Sequence, residues 1–419
     1  MDGKDKIKVL FLSTHDSPLE GHAFSICESL PKDKFDARLF VLHNSNGKTK
    51  YSLIGSNSII VKFYHKLLNL YLKVHSLLKY GKIPCIKRGT EYCYYSDDFV
   101  PSYSGIILRR LKGFVPDVIC VTWVAKFISS ATIKNLYKKT HAKIILFTTD
   151  EQFMMGGCHY SVECSGFKTG CFNCPALSKF RDYSHYQIEN KKNNYKDIPI
   201  TIRGVPYAVE KAVNESYLFS ENNCNKILTV KNTTQRVIET PKLECRKAFG
   251  IKDDAFVIFC AASHIDEKRK GFVFTIDALH KFQKTINNSI VLVAGNVKDD
   301  SIFKGLNYIL TGRLTEEKLF EGYCASDCFL STTIADTGPM MVNFSMSLGI
   351  PVVSFKIGVA ASLVIHKKTG YIAKYKDVED VNNGLLYIHS LSEAEYSEMK
   401  NNCKLEISKY SNNIDYLNK

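Results

Sequence analysis

Nowhere does the chain of 419 residues run through eighteen uninterrupted apolar residues, which argues against a transmembrane helix. Nor does an apolar core with a cleavage site follow Met1: the charged opening MDGKDK leads straight into the strand-like IKVLFLS, which predicts a cytoplasmic protein. Short internal repeats and low-complexity runs are lacking, and no nucleic-acid module is recognisable, so nucleic acid is not an expected partner. What is present is an excess of positive charge, +14 overall. Such a balance favours phosphate-bearing substrates or an anionic membrane face, with plain solubility as the alternative. Hydrophobic residues at 45% and charged residues at 23% are the profile of a globular protein. The length fits two domains better than one core. Fourteen cysteines in so long a chain, without a secretory signal, read as thiols or metal ligands rather than a disulfide scaffold.

Strand and helix patterns alternate along the chain. Apolar runs of strand length occupy 7–13, 35–42, 117–123 and 143–148, with helical spacing over 22–30 and 128–138. The alternation restarts with strands at 255–261, 290–294, 308–310, 328–331 and 351–355, interleaved with helices at 272–284, 315–325 and 340–348. This predicts an α/β protein of two Rossmann-like, doubly wound domains facing across a cleft. A polar join around Pro241 divides residues 1–235 from 236–419, with the last helix as a segment able to cross back. One segment departs from the pattern. Residues 61–79 form a basic amphipathic helix with Leu67, Leu70, Tyr71, Val74, Leu77 and Leu78 on one face. Its two readings are a cover for one side of the sheet, the commoner use, and docking at a membrane surface.

The segment 332–373, TTIADTGPMMVNFSMSLGIPVVSFKIGVAASLVIHKKTGYIA, has a readable logic. A strand ends at Ser331, Asp336 sits in the loop, Gly338 and Pro339 shape a turn, and a helix opens near Met340. Free N–H groups at such a helix start favour an anion such as a diphosphate. Upstream, Arg269 and Lys270 follow a strand and precede the glycine that opens a helix, where paired cations can clamp a diphosphate leaving group.

These two segments resemble the donor-binding motifs of family-four retaining glycosyltransferases of GT-B fold, and more narrowly the bacterial capsule and exopolysaccharide branch. The likeness lies in the turn before the helix, in SLGIPVVSF and in the closing KTGYIA. The family usually carries two Glu separated by seven residues here. Asp336 matches the first; Phe344 stands at the second, where a carboxylate normally holds the ribose, leaving Asn343 or backbone groups for that contact. In the first loop, STHDSPLEGHAF, Gly21 matches one of the family's usual glycine pair. The family's His is replaced at Thr122 and Thr149, but Asp150 matches the acidic partner after the second His.

Residues 156–175, GGCHYSVECSGFKTGCFNCP, place Cys158, Cys164, Cys171 and Cys174 in a C-x5-C-x6-C-x2-C spacing. Four thiols so spaced can close a tetrahedral structural zinc site; disulfides and free thiols are the other readings. This stretch too resembles an insertion of the capsule-type branch.

The resemblance implies a nucleotide-diphosphate sugar donor held mainly by the second domain and a glycan or lipid-linked oligosaccharide acceptor held by the first. It places the donor against Gly21, Arg269, Lys270, Gly338, Pro339, Met340, Met341 and Asn343, with Asp150 and Asp336 in catalytic positions. It implies retention of configuration and no cofactor required for catalysis, because cations and helix-start N–H groups neutralise the leaving group. The expected place of work is the inner face of the cytoplasmic membrane, with a peripheral membrane contact. The missing motif carboxylate and histidines also allow a non-catalytic sugar-nucleotide-binding scaffold.

Overall fold

The computed structural model describes residues 6–16, 22–220, 224–228, 240–338, 340–409 and 414–418. These residues form two compact units. The first holds the described residues up to Gly204, Ala208–Leu228 and the C-terminal segment; the second holds Val205–Tyr207 and residues 240–409. The expected boundary at 235/236 lies outside the described residues, as do Gly21 and Pro339.

The first unit contains β1 (Ile7–Ser13), β2 (Phe35–His43), β3 (Tyr51–Ile54), β4 (Cys85–Ile86), β5 (Val118–Val121), β6 (Lys143–Phe147), β7 (Leu177–Lys179), β8 (Ile200–Gly204) and β9 (Asn225–Leu228). Seven of these make a parallel sheet in the order β3-β2-β1-β5-β6-β8-β9. The short β4 and β7 pair antiparallel outside it. A parallel sheet is covered on both faces, so its strands read as near-continuous apolar runs. Accordingly Leu10 and Leu12 enter one core cluster while Val9 and Phe11 enter the other, all fully buried. The second cluster is completed from the far end of the sequence by Tyr416 and Leu417.

The Ser58–Tyr80 helix is 23 residues long. The Asn57 side chain caps its start, accepting from the Ile59 and Ile60 amides, and Gly81 ends it in a left-handed conformation at φ 66°. Only Leu68 and Ser76 of this helix are buried. The face with Leu67, Leu70 and Leu78 is 50%, 59% and 81% exposed, so the expected role as a sheet cover is corrected to one narrow side.

The second unit contains β10 (Phe256–His264), β11 (Ser289–Asn296), β12 (Tyr308–Leu310), β13 (Cys328–Ser331), β14 (Val352–Phe355) and β15 (Gly370–Ala373). They form a six-stranded parallel sheet in the order β12-β11-β10-β13-β14-β15. The chain crosses from β10 outward to β11 and β12, then returns to the other side of β10 as β13. That reversal puts the loops after β10 and β13 side by side, the position where open α/β sheets bind ligands.

Candidate active site

In the second unit the loop after β10 and the loop after β13 are fastened by main-chain and hydroxyl contacts. The Ile334 amide donates to the Arg269 carbonyl at 2.9 Å, and the Thr332 hydroxyl donates to the Gly271 carbonyl at 2.9 Å. Gly271 has φ +67°, and a Cβ there would stand 2.0 Å from the Thr332 carbonyl oxygen, so only glycine lets the loops meet. The fastening brings three sequence-predicted residues together. Arg269 and Lys270 each donate to one oxygen of Asp336, both at 2.8 Å, and the other oxygen accepts the Gly338 amide at 3.1 Å. Burial alone would raise the Asp336 carboxyl, but Lys270 and Arg269 outweigh it and hold it at about 2.

The remaining donor-site candidates divide. Met340 and Met341 are half-buried at the start of the Met340–Ser347 helix, and the Met341 carbonyl accepts the Tyr323 hydroxyl at 2.8 Å. Asn343 faces inward, 2% exposed, with its carboxamide oxygen lacking a hydrogen-bond partner. Phe344 packs edge-on against Phe320 with ring centres 5.1 Å apart. An apolar contact thus stands where the motif would carry a second carboxylate.

An Asp whose folded pKa is depressed contributes stability that is complete above its unfolded value and is lost as pH falls through the folded value. Asp336→Asn is expected to cost about 2 kcal/mol at pH 7, by the linkage between a shifted pKa and stability. Calorimetric scans of both proteins across the acid range should show the gap closing between the ordinary Asp value, 3.8, and about 2.

In the first unit the carboxyl ends of β5 and β6 carry a buried charge network that the sequence did not announce. The His159 imidazole is fully buried between two carboxylates, with Nδ1 2.6 Å from Asp150 and Nε2 3.0 Å from Asp97. Burial pushes the imidazole down, but Asp150 and Asp97 outweigh it and hold it up at about 9. The other Asp150 oxygen accepts the Gln152 amide at 3.0 Å, and Asp97 also accepts the Gln152 side chain at 2.8 Å. Asp150 is 3% exposed, and it holds His159 directly. Trp123, the one tryptophan, lies with its ring 4.8 Å from that of His159. Beneath them Lys191 donates to the carbonyls of Gln152 and Met155, and burial pulls its ammonium down, although Asp98 and Asp97 act the other way. A cavity lined by Asp97, Thr122, Asp150, Gln152, Phe153 and Lys191 opens here. His159 thus stands as an internal cation between two buried carboxylates.

The cysteine-rich stretch supplies His159. None of its four thiols is in a disulfide. The neighbouring Cys158 thiol holds the Cys174 thiol at about 6, and Cys174 in turn pushes Cys158 up. Among the described residues no three His, Cys, Asp or Glu side chains stand in a metal-holding arrangement, so the zinc reading rests on spacing alone.

Residues 255–390 match the family model of glycosyl transferases group 1. The matched stretch runs from β10 through β15 and contains Arg269, Lys270 and Asp336. A curated relative, sulfoquinovosyl transferase SQD2 of Arabidopsis thaliana, is 31% identical over 91 residues, which is 20% of this chain and 18% of that protein. The match therefore spans a little under a fifth of that relative's length. Three solved structures share the architecture at 12% identity. Sucrose-phosphate synthase from Thermosynechococcus elongatus superposes with a TM-score of 0.61 over 97% of this chain and 95% of that one. A glycosyltransferase from Rickettsia africae gives 0.61 over 97% and 94%. HepE of Anabaena, solved in complex with UDP-glucose, gives 0.61 over 96% and 95%. The fold of the two units is GT-B.

Proposed function

We propose that this protein is a glycosyltransferase that moves a sugar from a nucleotide-diphosphate sugar to a glycan or lipid-linked acceptor, with retention, in cell-surface polysaccharide synthesis. The observation that carries the reading is the Arg269–Lys270–Asp336 cluster, set at the carboxyl edge of the second sheet inside the group 1 segment. The donor's diphosphate competes with Asp336 for the two cations. As the bond between the anomeric carbon and the β-phosphate oxygen breaks, the electron pair goes to that oxygen, and Arg269 and Lys270 stabilise the charge it gains. The acceptor hydroxyl oxygen forms the new bond and passes its proton to the departing phosphate. Met340 and Met341 flank this site and Asn343 backs it. In the first unit, the β5 and β6 ends with Asp150 face the acceptor, and the network around His159 holds Asp150 in place. No step here uses a metal.

A second reading, a sugar-nucleotide-binding scaffold without turnover, draws on Phe344, which packs on Phe320 where a ribose-holding carboxylate is expected. A panel of UDP-, GDP-, ADP- and dTDP-sugars separates the two. Thermal stabilisation by one donor together with nucleotide release supports the transferase. Stabilisation without release, even with glycan acceptors, supports the scaffold. No stabilisation of a folded sample by any donor removes both.

A further inference from the structure

The Ser58–Tyr80 helix carries nine of the 21 exposed large apolar side chains among the described residues. At about 100° per residue, all nine fall within an arc of about 120°. Phe63, Leu67, Leu70, Val74, Leu77 and Leu78 run along it, each at least 46% exposed. The buried Leu68 and Ser76 lie on the opposite side. The helix therefore has two apolar faces, one spent on its own unit and one left open along roughly 35 Å of axis. Lys62, Lys66 and Lys73 follow one border of the open face. Beyond Gly81 the exposed Ile83 and Ile86 continue beside the exposed Lys82, Lys87 and Arg88. Residues 37–90 contain eight lysines and two arginines and not one Asp or Glu. Among the described residues no helix is long and apolar enough to cross a membrane.

We propose that this face is a membrane-docking surface that lies in the plane of an anionic bilayer, its apolar arc among the acyl chains and its lysines at the headgroups. The charge selects this occupant. A self-complementary protein interface sets cations against carboxylates, and this region has none to offer a second copy of itself. Anionic lipid supplies a negative surface of the right breadth, and each basic residue near it strengthens binding about fivefold. Docking rests on the helix alone and not on the transferase reading, so it is tested without donor or acceptor.

The full chain is mixed with vesicles of phosphatidylcholine alone and of phosphatidylcholine with phosphatidylglycerol, then floated on a density gradient. Co-flotation with the anionic vesicles is expected, with little on the neutral ones. Phe63→Asp with Leu70→Asp should lower the bound fraction at least about tenfold. Because both side chains are exposed, the thermal midpoint should stay unchanged. Exchanging Lys62, Lys66 and Lys73 for Gln should abolish the preference for anionic lipid. The proposal is overturned if the wild-type chain does not float with anionic vesicles, or if the Phe63 and Leu70 exchanges leave binding intact. It is equally overturned if the chain sediments as a dimer that those exchanges break while no lipid is bound, since the face then belongs to a second copy.

Discussion

Lys270→Ala is expected to lower nucleotide release from the donor that the panel selects by about 100- to 1,000-fold, the usual loss when one preorganised partner of a developing anion is removed. Lys270 is the better test than Arg269. The Arg269 guanidinium is shared with Glu267 at 2.8 Å, and its carbonyl fastens the Ile334 loop. Replacing Arg269 therefore disturbs the site's frame as well as its charge. The Lys270 ammonium meets Asp336 at 2.8 Å and can swing from that carboxylate to a phosphate without breaking the frame. Lys270→Arg should recover part of the rate, because the charge is kept while the fork geometry differs. Calorimetric titration with the nucleoside diphosphate provides the equilibrium check, and its affinity should fall with the rate. If Lys270→Ala leaves both rate and affinity at wild-type levels, the diphosphate is held elsewhere and the proposed chemistry is lost with it.

His159→Gln should destabilise the first unit by about 3 kcal/mol near pH 6, because it leaves two buried carboxylates without their cation. The sign with pH is opposite to that of Asp336. His159 has its folded pKa raised from the ordinary imidazole value of 6.5 to about 9. Its contribution is therefore complete below 6.5 and is lost as pH rises through about 9. Denaturation curves followed by the fluorescence of Trp123, whose ring lies 4.8 Å from the imidazole, should show wild-type and variant converging in alkaline buffer. A gap that stays constant from acid to alkali would mean that the imidazole packs but carries no charge. If His159 positions Asp150 for the acceptor, the variant should also shift the pH profile of transfer and leave donor affinity unchanged.

Much of the fold was legible because buried parallel strands announce themselves as apolar runs. β1, β12 and β13 lie where the sequence placed them, and β2, β5, β6, β10, β11 and β14 differ from their expected limits by a few residues at most. The strands that escaped are polar or short, such as β9 with the sequence NKIL at the sheet edge. The Tyr183–Tyr195 helix also escaped, and the last helix, Glu393–Ser408, was expected without limits, since polar residues are spread around both without a clean apolar stripe. The cation pair and Asp336 were found by their motifs. Asp97 and Asp98, side by side between Ser96 and Phe99, and Lys191, a basic residue in a buried helix side, were visible as residues but not as a site.

By itself, then, the sequence determined the alternation of strands and helices and the two α/β sheets, and it marked the residues of the proposed donor site, because each is written in local periodicity or in a few adjacent residues. Only the tertiary structure decided that Asp336 holds both cations, that His159 is clamped between Asp97 and Asp150, and that the Ser58–Tyr80 helix leaves its broader apolar face uncovered. Those facts join residues 62 and 67 positions apart, or depend on which side of a helix meets the sheet. Periodicity shows that a helix has an apolar face, but packing alone decides whether that face meets protein or solvent.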